Sequence, residues 1–165
     1  VPRWNTAAEA WLSARIPEQA RCRPLVFIHV RRGDYFAWPS AEHPAVLDEK
    51  WYELAVEEIK KKEAHAFFIV LTDDPEYANK AYGSRADFII SDNAPAVDLV
   101  LMSRCRHGIL SASSFAWWGS YLSRSGQQYT SNCTYLAPLY WAGHRLKRWH
   151  PCDFDFSWIT YLEVE

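Results

Sequence analysis

Short apolar runs alternate with helix-like segments from Pro24 to about Leu139, and this alternation restricts the folds open to the chain. The run Ala66–Leu71 is apolar at every position, as expected for a strand that is covered on both faces. Strands that alternate with helices form a parallel sheet with helices packed against it. The pattern therefore predicts an α/β fold, a Rossmann-like parallel sheet with helices on both faces.

The expected elements follow one another without an internal repeat or a linker. The apolar runs predict strands at Leu25–Val30, Ala66–Leu71, Ala86–Ile90, Gly108–Leu110 and about Thr134–Ala137. Helices are predicted near Leu47–Lys62, just after Thr72-Asp73-Asp74-Pro75, at about Ala96–Arg106 and at Phe115–Ser123. One buried face of the first helix is expected to contain Trp51, Leu54, Ala55 and Ile59.

The two ends of the chain do not follow this alternation. Residues 1–23 are interpreted as a leader, a helix plus a connection from a missing upstream part, and residues 24–165 as one domain. The tail Pro138–Glu165 is rich in Trp, Pro and His, and it is predicted to be irregular with a short helix.

Composition bounds the possible partners. The 165 residues are enough for one domain with a proper core, and 18 Lys and Arg stand against 20 Asp and Glu. This balance argues against nucleic-acid binding, which usually needs a basic excess. The longest uninterrupted apolar run, Ala66–Leu71, is too short to span a membrane, and no secretory signal is visible. A membrane association is expected only through an anchor absent from this chain.

The run His29-Val30-Arg31-Arg32-Gly33-Asp34-Tyr35 comes directly after the first predicted strand. The planar guanidinium of arginine donates two parallel charged hydrogen bonds and is well shaped to bind a diphosphate. Open α/β sheets bind ligands at the carboxyl ends of their strands. The run therefore predicts an anion site at the edge of the sheet, although an ordinary surface ion pair with Asp34 is the simpler alternative.

Three further polar clusters follow the other strands in register. The four clusters are Arg31, Arg32 and Asp34 after the first strand, Asp73 and Asp74 after the second, Ser91, Asp92 and Asn93 after the third, and Ser111, Ser113 and Ser114 after the fourth. Such residues also cap helices, so a capping role and a binding role are both open for the aspartates. For Ser113 and Ser114 the capping role and the binding role coincide, because a helix N-terminus binds phosphate.

Asp98 stands in the apolar segment Val97–Leu101, where a carboxylate normally needs a partner. It could accept hydrogen bonds from the ring nitrogens of a base such as guanine, or it could interact with the dipole at the start of its helix. No P-loop or G-x-G-x-x-G run is present, and no metal-binding motif is found. Phosphate charge would then be neutralised by Arg31 and a helix N-terminus.

Together these motifs resemble the α-1,2-fucosyltransferases and their relatives. The resemblance rests on the first run, with its H-x-R-R pattern, and on later segments in the same order, namely Thr72-Asp73-Asp74, Ile90-Ser91-Asp92-Asn93, Asp98 with the five residues after it, and Ser113–Leu122. It covers roughly Pro24–Leu122 and implies the donor-binding carboxyl-terminal half of a GT-B glycosyltransferase.

The resemblance implies inverting, metal-independent transfer of fucose from GDP-β-L-fucose to a galactose-containing glycan. The residues implied or proposed to bind the donor are His29, Arg31, Arg32, Asp73, Asp92, Asp98, Ser113 and Ser114. Arg31 is implied to bind the β-phosphate and Asp98 the guanine, whereas Arg32 is expected to be more structural. No cofactor is expected beyond the donor substrate.

The catalytic base is not assigned by the resemblance. Asp34 and Glu42 are candidates beside Arg31, and a base could also come from another part of the enzyme. Two other functions stay open, a GDP-sugar-binding module without transfer activity and a carbohydrate-binding or interaction protein. A eukaryotic protein of this kind is expected in the Golgi lumen or membrane, for which the sequon Asn132-Cys133-Thr134 is compatible, and a bacterial one in the cytoplasm.

Overall fold

A six-stranded sheet organises the computed structural model, which describes residues 2–126 and 132–165. The strands are β1 Leu25–Val30, β2 Phe67–Thr72, β3 Phe88–Ile90, β4 His107–Ile109, β5 Tyr135–Pro138 and β6 Thr160–Leu162. All neighbouring strands are parallel, in the order β3-β2-β1-β4-β5-β6. The chain reverses its direction across the sheet between β1 and β4, and ligands of such sheets bind at this reversal.

Five α-helices connect or flank the described strands. They are α1 Pro2–Arg15, α2 Glu49–Lys62, α3 Pro75–Tyr82, α4 Pro95–Arg104 and α5 Ser114–Gly126. Local sequence sets several of their starts. The Asp48 carboxylate accepts from the Trp51 amide at 2.9 Å, and the Asp74 carboxylate accepts from the Tyr77 amide at 3.0 Å. These side chains satisfy amides that a helix N-terminus leaves without partners.

The two faces of the sheet bury separate apolar clusters. On β1, Val26, Ile28 and Val30 pack in the cluster that includes α2 and α3, whereas Phe27 belongs to the cluster with α1, α4 and α5. Successive side chains of a strand point to opposite faces, so a strand covered on both sides is apolar throughout. This burial confirms the predicted parallel sheet with helices on both faces.

The first strand lies where the sequence predicts it, and the other elements shift by a few residues at their ends. The expected inner face of α2 is partly wrong. Trp51, Ala55 and Ile59 are buried, but Leu54 is 47% exposed and Tyr52 and Val56 take part in the core instead. The reason is the helical period, because residues 52, 55, 56 and 59 form the stripe that faces the sheet.

The ends of the chain are more regular than the sequence predicts. The tail contains β6, which pairs with β5 through Leu136 and Thr160, as well as a short 3₁₀ helix at His144–Leu146. At the other end, α1 packs against α4, and its Trp11 belongs to the cluster that contains Phe27. No helix in the described ranges is both long and apolar enough to cross a membrane.

Candidate functional site

A cavity of about 520 Å³ lies at the carboxyl edge of the sheet. Its lining comes from the segments that follow four strands: His29, Arg31, Asp34 and Tyr35 after or at the end of β1, Leu71, Thr72 and Asp73 at β2, Asn93, Pro95 and Asp98 after β3, and Ser113, Ser114 and Phe115 after β4. Volumes of this size are typical of small-molecule sites. All four polar clusters expected from the sequence contribute to it.

Seven of the residues predicted for the site line this cavity. They are His29, Arg31, Asp34, Asp73, Asp98, Ser113 and Ser114. Three others, Arg32, Glu42 and Asp92, are not among its lining residues. The structure thus brings most of the predicted set together, and it distinguishes the two adjacent arginines.

Arg31 is held by two carboxylates. Its Nε donates to Asp34 Oδ1 at 2.9 Å, its Nη2 lies 2.8 Å from the same oxygen, and its Nη1 lies 3.3 Å from Asp73 Oδ2. A guanidinium carries five N–H donors, so these three contacts leave donors on Nη1 and Nη2 for a ligand. The side chain is thereby fixed in position at the cavity while it keeps part of its hydrogen-bonding capacity.

Asp73 also fixes the backbone around Arg31. Its Oδ1 accepts a 2.9 Å hydrogen bond from the Arg32 amide, and a Cβ added at Gly33 would lie 2.7 Å from its Oδ2. Only glycine permits so close an approach of this loop to the end of β2 without displacement. The glycine of the Arg-Arg-Gly-Asp run therefore has a steric role that the sequence alone does not reveal.

His29 lies at the end of β1 and is 7% exposed. Its Nδ1 is 2.7 Å from Ser111 Oγ, and the side chain lines the cavity, so Nε2 is the nitrogen left for a ligand. Burial, reinforced by the nearby charge of Arg31, lowers the pKa of His29 to about 3. The imidazole is therefore neutral at physiological pH and contributes hydrogen bonding without a charge.

The start of α5 forms another wall of the cavity. Ser113 and Ser114 line it, and the Phe115 amide donates to Ser113 Oγ at 3.2 Å. The nearby Tyr35 hydroxyl donates to the Ala112 carbonyl at 2.7 Å, which ties the segment after β1 to the segment after β4. A helix of 13 residues directs a partial positive charge toward this wall.

Asp98, on the first turn of α4, contributes a carboxyl to the lining of the cavity. Its side chain is 9% exposed, and the Ser91 hydroxyl donates to its Oδ1 at 2.5 Å. Burial raises the pKa of Asp98 to about 6, although the Ser91 hydrogen bond acts in the other direction. Above that pH the group is a carboxylate that accepts from Ser91 through Oδ1, and Oδ2 is the oxygen to consider for a ligand.

The Arg32 side chain contacts other partners than Arg31 does. Its Nε lies 3.1 Å from Asp74 Oδ2, and its guanidinium lies over the Tyr77 ring at 3.9 Å and the Phe36 ring at 4.9 Å. These contacts support the expectation that Arg32 is more structural than Arg31. Asp74, the helix cap of α3, takes part in the same arrangement.

Asp92 and Glu42 also have surroundings outside the cavity. The Asp92 carboxylate accepts from Trp11 Nε1 at 2.7 Å and from Arg15 Nη1 at 3.2 Å, so it connects the segment after β3 to α1. Glu42 is exposed in the loop before α2. Donor binding by Asp92 and base catalysis by Glu42 stay predictions, with no cavity contact to support them.

Six lining residues are absent from the set predicted to bind the donor or to act in catalysis, namely Tyr35, Leu71, Thr72, Asn93, Pro95 and Phe115. Tyr35, Thr72, Asn93 and Phe115 belong to the motifs quoted from the sequence, so their place in those motifs is the signal that could have found them. By contrast, Trp117 packs against Trp118, Tyr121 and the tail residues Phe154, Phe156 and Trp158, as expected for a packing residue.

The sequence profile of the family described as Glycosyl transferase family 11 matches residues 12–151, which is most of the chain. The chain belongs to glycosyl transferase family 11. The resemblance to α-1,2-fucosyltransferases expected from the motifs is thereby confirmed. The alpha-1,2-colitosyltransferase of Escherichia coli is 32% identical over 139 residues, with 80% of this family 11 chain and 46% of the relative aligned.

Two further relatives support membership of the same family. The O-antigen biosynthesis glycosyltransferase WbnK of Escherichia coli is 32% identical over 101 residues, covering 58% of this chain and 33% of the relative. The galactoside 2-alpha-L-fucosyltransferase Sec1 of Mus musculus is 29% identical over 133 residues, covering 77% of this chain and 36% of the relative. The family 11 chain therefore spans between a third and a half of the length of these relatives.

Solved structures show the same fold at low sequence identity. The fucosyltransferase NodZ from Bradyrhizobium matches with a TM-score of 0.53 and 14% identity, over 73% of this chain and 41% of that one. POFUT1 in complex with GDP-fucose matches with a TM-score of 0.56 and 13% identity, over 81% of this chain and 45% of that one. The expected Rossmann-like half of a GT-B architecture is confirmed in the family 11 chain.

Proposed function

We propose that this chain is the donor-binding part of an α-1,2-fucosyltransferase. The enzyme would transfer L-fucose from GDP-β-L-fucose to a hydroxyl of a galactose-containing glycan, with inversion and without a metal ion. The observation that carries the proposal is one cavity lined by a fixed guanidinium, a helix N-terminus and a buried carboxyl. The relative Sec1 is named as a galactoside fucosyltransferase, which supports the acceptor. The structural neighbour POFUT1 was solved with GDP-fucose, which supports the donor.

The diphosphate fits the end of the cavity that contains Arg31. The donors left on Nη1 and Nη2 can form a bidentate pair with phosphate oxygens, and such charge-assisted hydrogen bonds are the strong ones. The amides at the start of α5 and the Ser113 and Ser114 side chains provide further positive or donating groups. His29, if Ser111 donates to its Nδ1, carries its hydrogen on Nε2 and donates to phosphate as well.

The guanine fits the end that contains Asp98. Guanine presents two neighbouring N–H donors on its Watson–Crick edge, and an ionised carboxylate accepts from both. Because Asp98 is 9% exposed and the Ser91 hydroxyl donates only to Oδ1, an unsuitable base would leave buried acceptor capacity of the carboxylate unsatisfied. Adenine and uracil lack this pair of donors, so the proposal includes selectivity for guanine.

The chemistry follows from the same placement. When the bond between fucose and phosphate breaks, negative charge develops on the departing GDP, and groups already oriented toward that charge stabilise it without reorganisation. Arg31 is such a group, because Asp34 and Asp73 hold it before any ligand binds. The anomeric carbon becomes oxocarbenium-like, and the acceptor hydroxyl attacks from the opposite face, which gives inversion.

The proton of the acceptor hydroxyl needs a base within hydrogen-bond reach. Asp34 lines the cavity, and its Oδ1 contacts Arg31, which makes Oδ2 the oxygen to consider as a proton acceptor. We therefore place Asp34 ahead of Glu42 as the base within this chain. The chain spans less than half of the length of these relatives, so transfer is proposed for the whole enzyme and donor binding for this chain.

Calorimetric titration with GDP-fucose, GDP and UDP, each in EDTA and again with Mn²⁺, tests the proposal. We expect both guanine nucleotides to bind, UDP to bind at least about tenfold more weakly, and EDTA to change nothing. Equal affinity for UDP would contradict the guanine assignment. Binding that needs Mn²⁺ would contradict the metal-independent mechanism.

The cellular setting is part of the proposal. The mammalian galactoside fucosyltransferases among the relatives support a place in the Golgi lumen if this protein is eukaryotic, with any anchor outside this chain. The bacterial relatives support the cytoplasm if it is bacterial. Immunolocalisation of the full-length protein distinguishes the two.

A further inference from the structure

We propose that Trp38 and His150 form a subsite for a sugar ring of the acceptor, beside the donor cavity. The proposal deepens the proposed function and rests on it for the identity of the ligand. The two residues come from distant parts of the chain, the loop after β1 and the tail after β5. Their rings are 5.9 Å apart, at an angle of 55°.

A row of side chains connects this pair to the donor cavity. The Arg31 guanidinium lies 5.8 Å from the centre of the Tyr35 ring, and the Tyr35 ring lies 5.0 Å from the Trp38 ring. Arg31 and Tyr35 line the cavity, so Trp38 is the next side chain beyond its wall. A fucose attached to a phosphate at Arg31 would occupy the space nearest the guanidinium, and the sugar that attacks it must lie one ring further out.

His150 reaches this place because of the topology. β5 ends at Pro138, on the same edge of the parallel sheet as the ends of β1 and β4, and the following segment stays there. The His150 amide donates to the Tyr140 carbonyl at 3.3 Å, and the His150 carbonyl accepts from the Ala142 amide at 3.2 Å. These backbone contacts fix the exposed imidazole beside Trp38.

The loop that carries Trp38 is held in one conformation by its own backbone. The Trp38 amide donates to the Asp34 carbonyl at 3.0 Å, and the Trp38 carbonyl accepts from the Ala45 amide at 2.7 Å. An isolated bridge between Pro39 and Pro44 closes the loop. A ring that is already oriented loses little conformational entropy when a ligand binds against it.

The chemistry of the pair suits a pyranose. The Trp38 side chain is 37% exposed, and a flat indole packs well against the C–H face of a sugar. The imidazole of His150 can donate to or accept from a hydroxyl. Phe36 is more exposed, at 53%, but the Arg32 guanidinium lies over its ring, so it belongs to the structural cluster around Arg32.

The experiment titrates the protein with lactose, a soluble β-galactoside, in the presence of saturating GDP, and follows the lactose signals by saturation-transfer NMR. Trp38→Ala is expected to weaken lactose binding by about tenfold, Trp38→Phe by less, and His150→Ala by a few-fold, on the order of one lost hydrogen bond. Trp118→Ala is the matched control, because Trp118 is also an exposed tryptophan but lies outside the cavity lining, and it should leave lactose binding unchanged.

GDP affinity, measured by calorimetry on every variant, separates the two proposals. If the wild-type protein does not bind GDP, the proposed function fails, whereas lactose binding that still depends on Trp38 supports the subsite. If GDP binds but lactose does not, or if Trp38→Ala keeps the wild-type lactose affinity, the subsite is overturned. An equal loss of lactose binding in Trp118→Ala would overturn it as well.

Discussion

Arg31 and Asp98 hold their charges in opposite ways. At the end of the cavity proposed to bind phosphate, Arg31 is partly exposed and its charge is balanced by Asp34 and Asp73. At the end proposed to bind the base, Asp98 is buried and receives one neutral hydrogen bond, from Ser91, in place of an ion pair. The first arrangement keeps a cation charged and oriented at little cost, because exposed ion pairs are screened by water.

The second arrangement is costly without a ligand. A carboxylate buried in an apolar wall is disfavoured in its ionised form, which is why the pKa of Asp98 rises to about 6. Guanine would replace the missing solvation with two N–H donors. On the proposed function, affinity and charge stabilisation depend on Arg31, whereas selectivity and pH dependence depend on Asp98.

The largest expected effect is at the phosphate end. Arg31→Ala removes every charge-assisted hydrogen bond from that side chain to the diphosphate, and we expect GDP affinity to fall by about 3 kcal/mol, on the order of a hundredfold. Calorimetry with GDP measures it. Arg104→Ala is the matched control, since Arg104 is an exposed arginine of α4 whose ion pair with Glu9 lies outside the cavity lining. Wild-type affinity in Arg31→Ala would remove Arg31 from the site.

A smaller effect is expected at the base end, and it depends on pH. Below about pH 6 Asp98 becomes protonated and no longer accepts from both guanine donors, so the affinity for GDP-fucose should fall as the pH is lowered from 7 to 5. GDP-fucose is the right probe, because its phosphates do not titrate in this range. His29 does not contribute either, since its pKa of about 3 keeps it neutral throughout.

Asp98→Asn should remove that pH dependence and lower the affinity at pH 7 by about 2 kcal/mol. If the new amide keeps its oxygen toward the Ser91 hydroxyl, its N–H₂ group faces the guanine donors. Titration calorimetry from pH 5 to 8 on both proteins provides the measurement. A wild-type affinity that is flat over this range would contradict the role of the Asp98 carboxylate. A decrease that persists in Asp98→Asn would show that another group titrates.

The positions of the polar clusters could be predicted from the sequence because of a simple geometric fact. All parallel strands end at one edge, so residues that follow β1, β2, β3 and β4 must approach each other. Arg31, Asp73, Asp98 and Ser113 meet in one cavity for this reason. The pattern of apolar runs is sufficient for this step, since β1 is covered on both faces and is apolar from Leu25 to Ile28.

The remaining features depend on contacts between distant segments. Sequence order could not show that Asp92 is bound by Trp11 and Arg15 of α1, which draws its carboxylate away from the cavity. Nor could it show which of two adjacent arginines faces the ligand, because that depends on Asp74 and Tyr77 attracting Arg32 to α3. The strand β6 is not predicted because its three residues are exposed or half-buried, so they do not form the apolar run that marks the other strands.

The smallest expected effect separates the cost of the ionised Asp98 carboxylate to the stability of the fold from its proposed contribution to nucleotide binding. Without nucleotide, the ionised Asp98 carboxylate destabilises the fold, so the contribution of this group to the free energy of unfolding decreases as pH rises from about 4 to 6 and stays low above that. Asp98→Asn should therefore be more stable than wild type at pH 8, by about 1 to 2 kcal/mol, although it binds GDP more weakly. Urea denaturation at pH 5 and pH 8 without ligand measures the difference, which should shrink at the lower pH.

Asp92→Asn is the control of opposite sign. The hydrogen bond from Trp11 and the charge of Arg15 lower the pKa of Asp92, so its neutral replacement should not stabilise the protein. A loss of stability in Asp98→Asn at pH 8 would mean that the Ser91 hydrogen bond outweighs burial, and that the two ends of the cavity hold their charges at a similar cost.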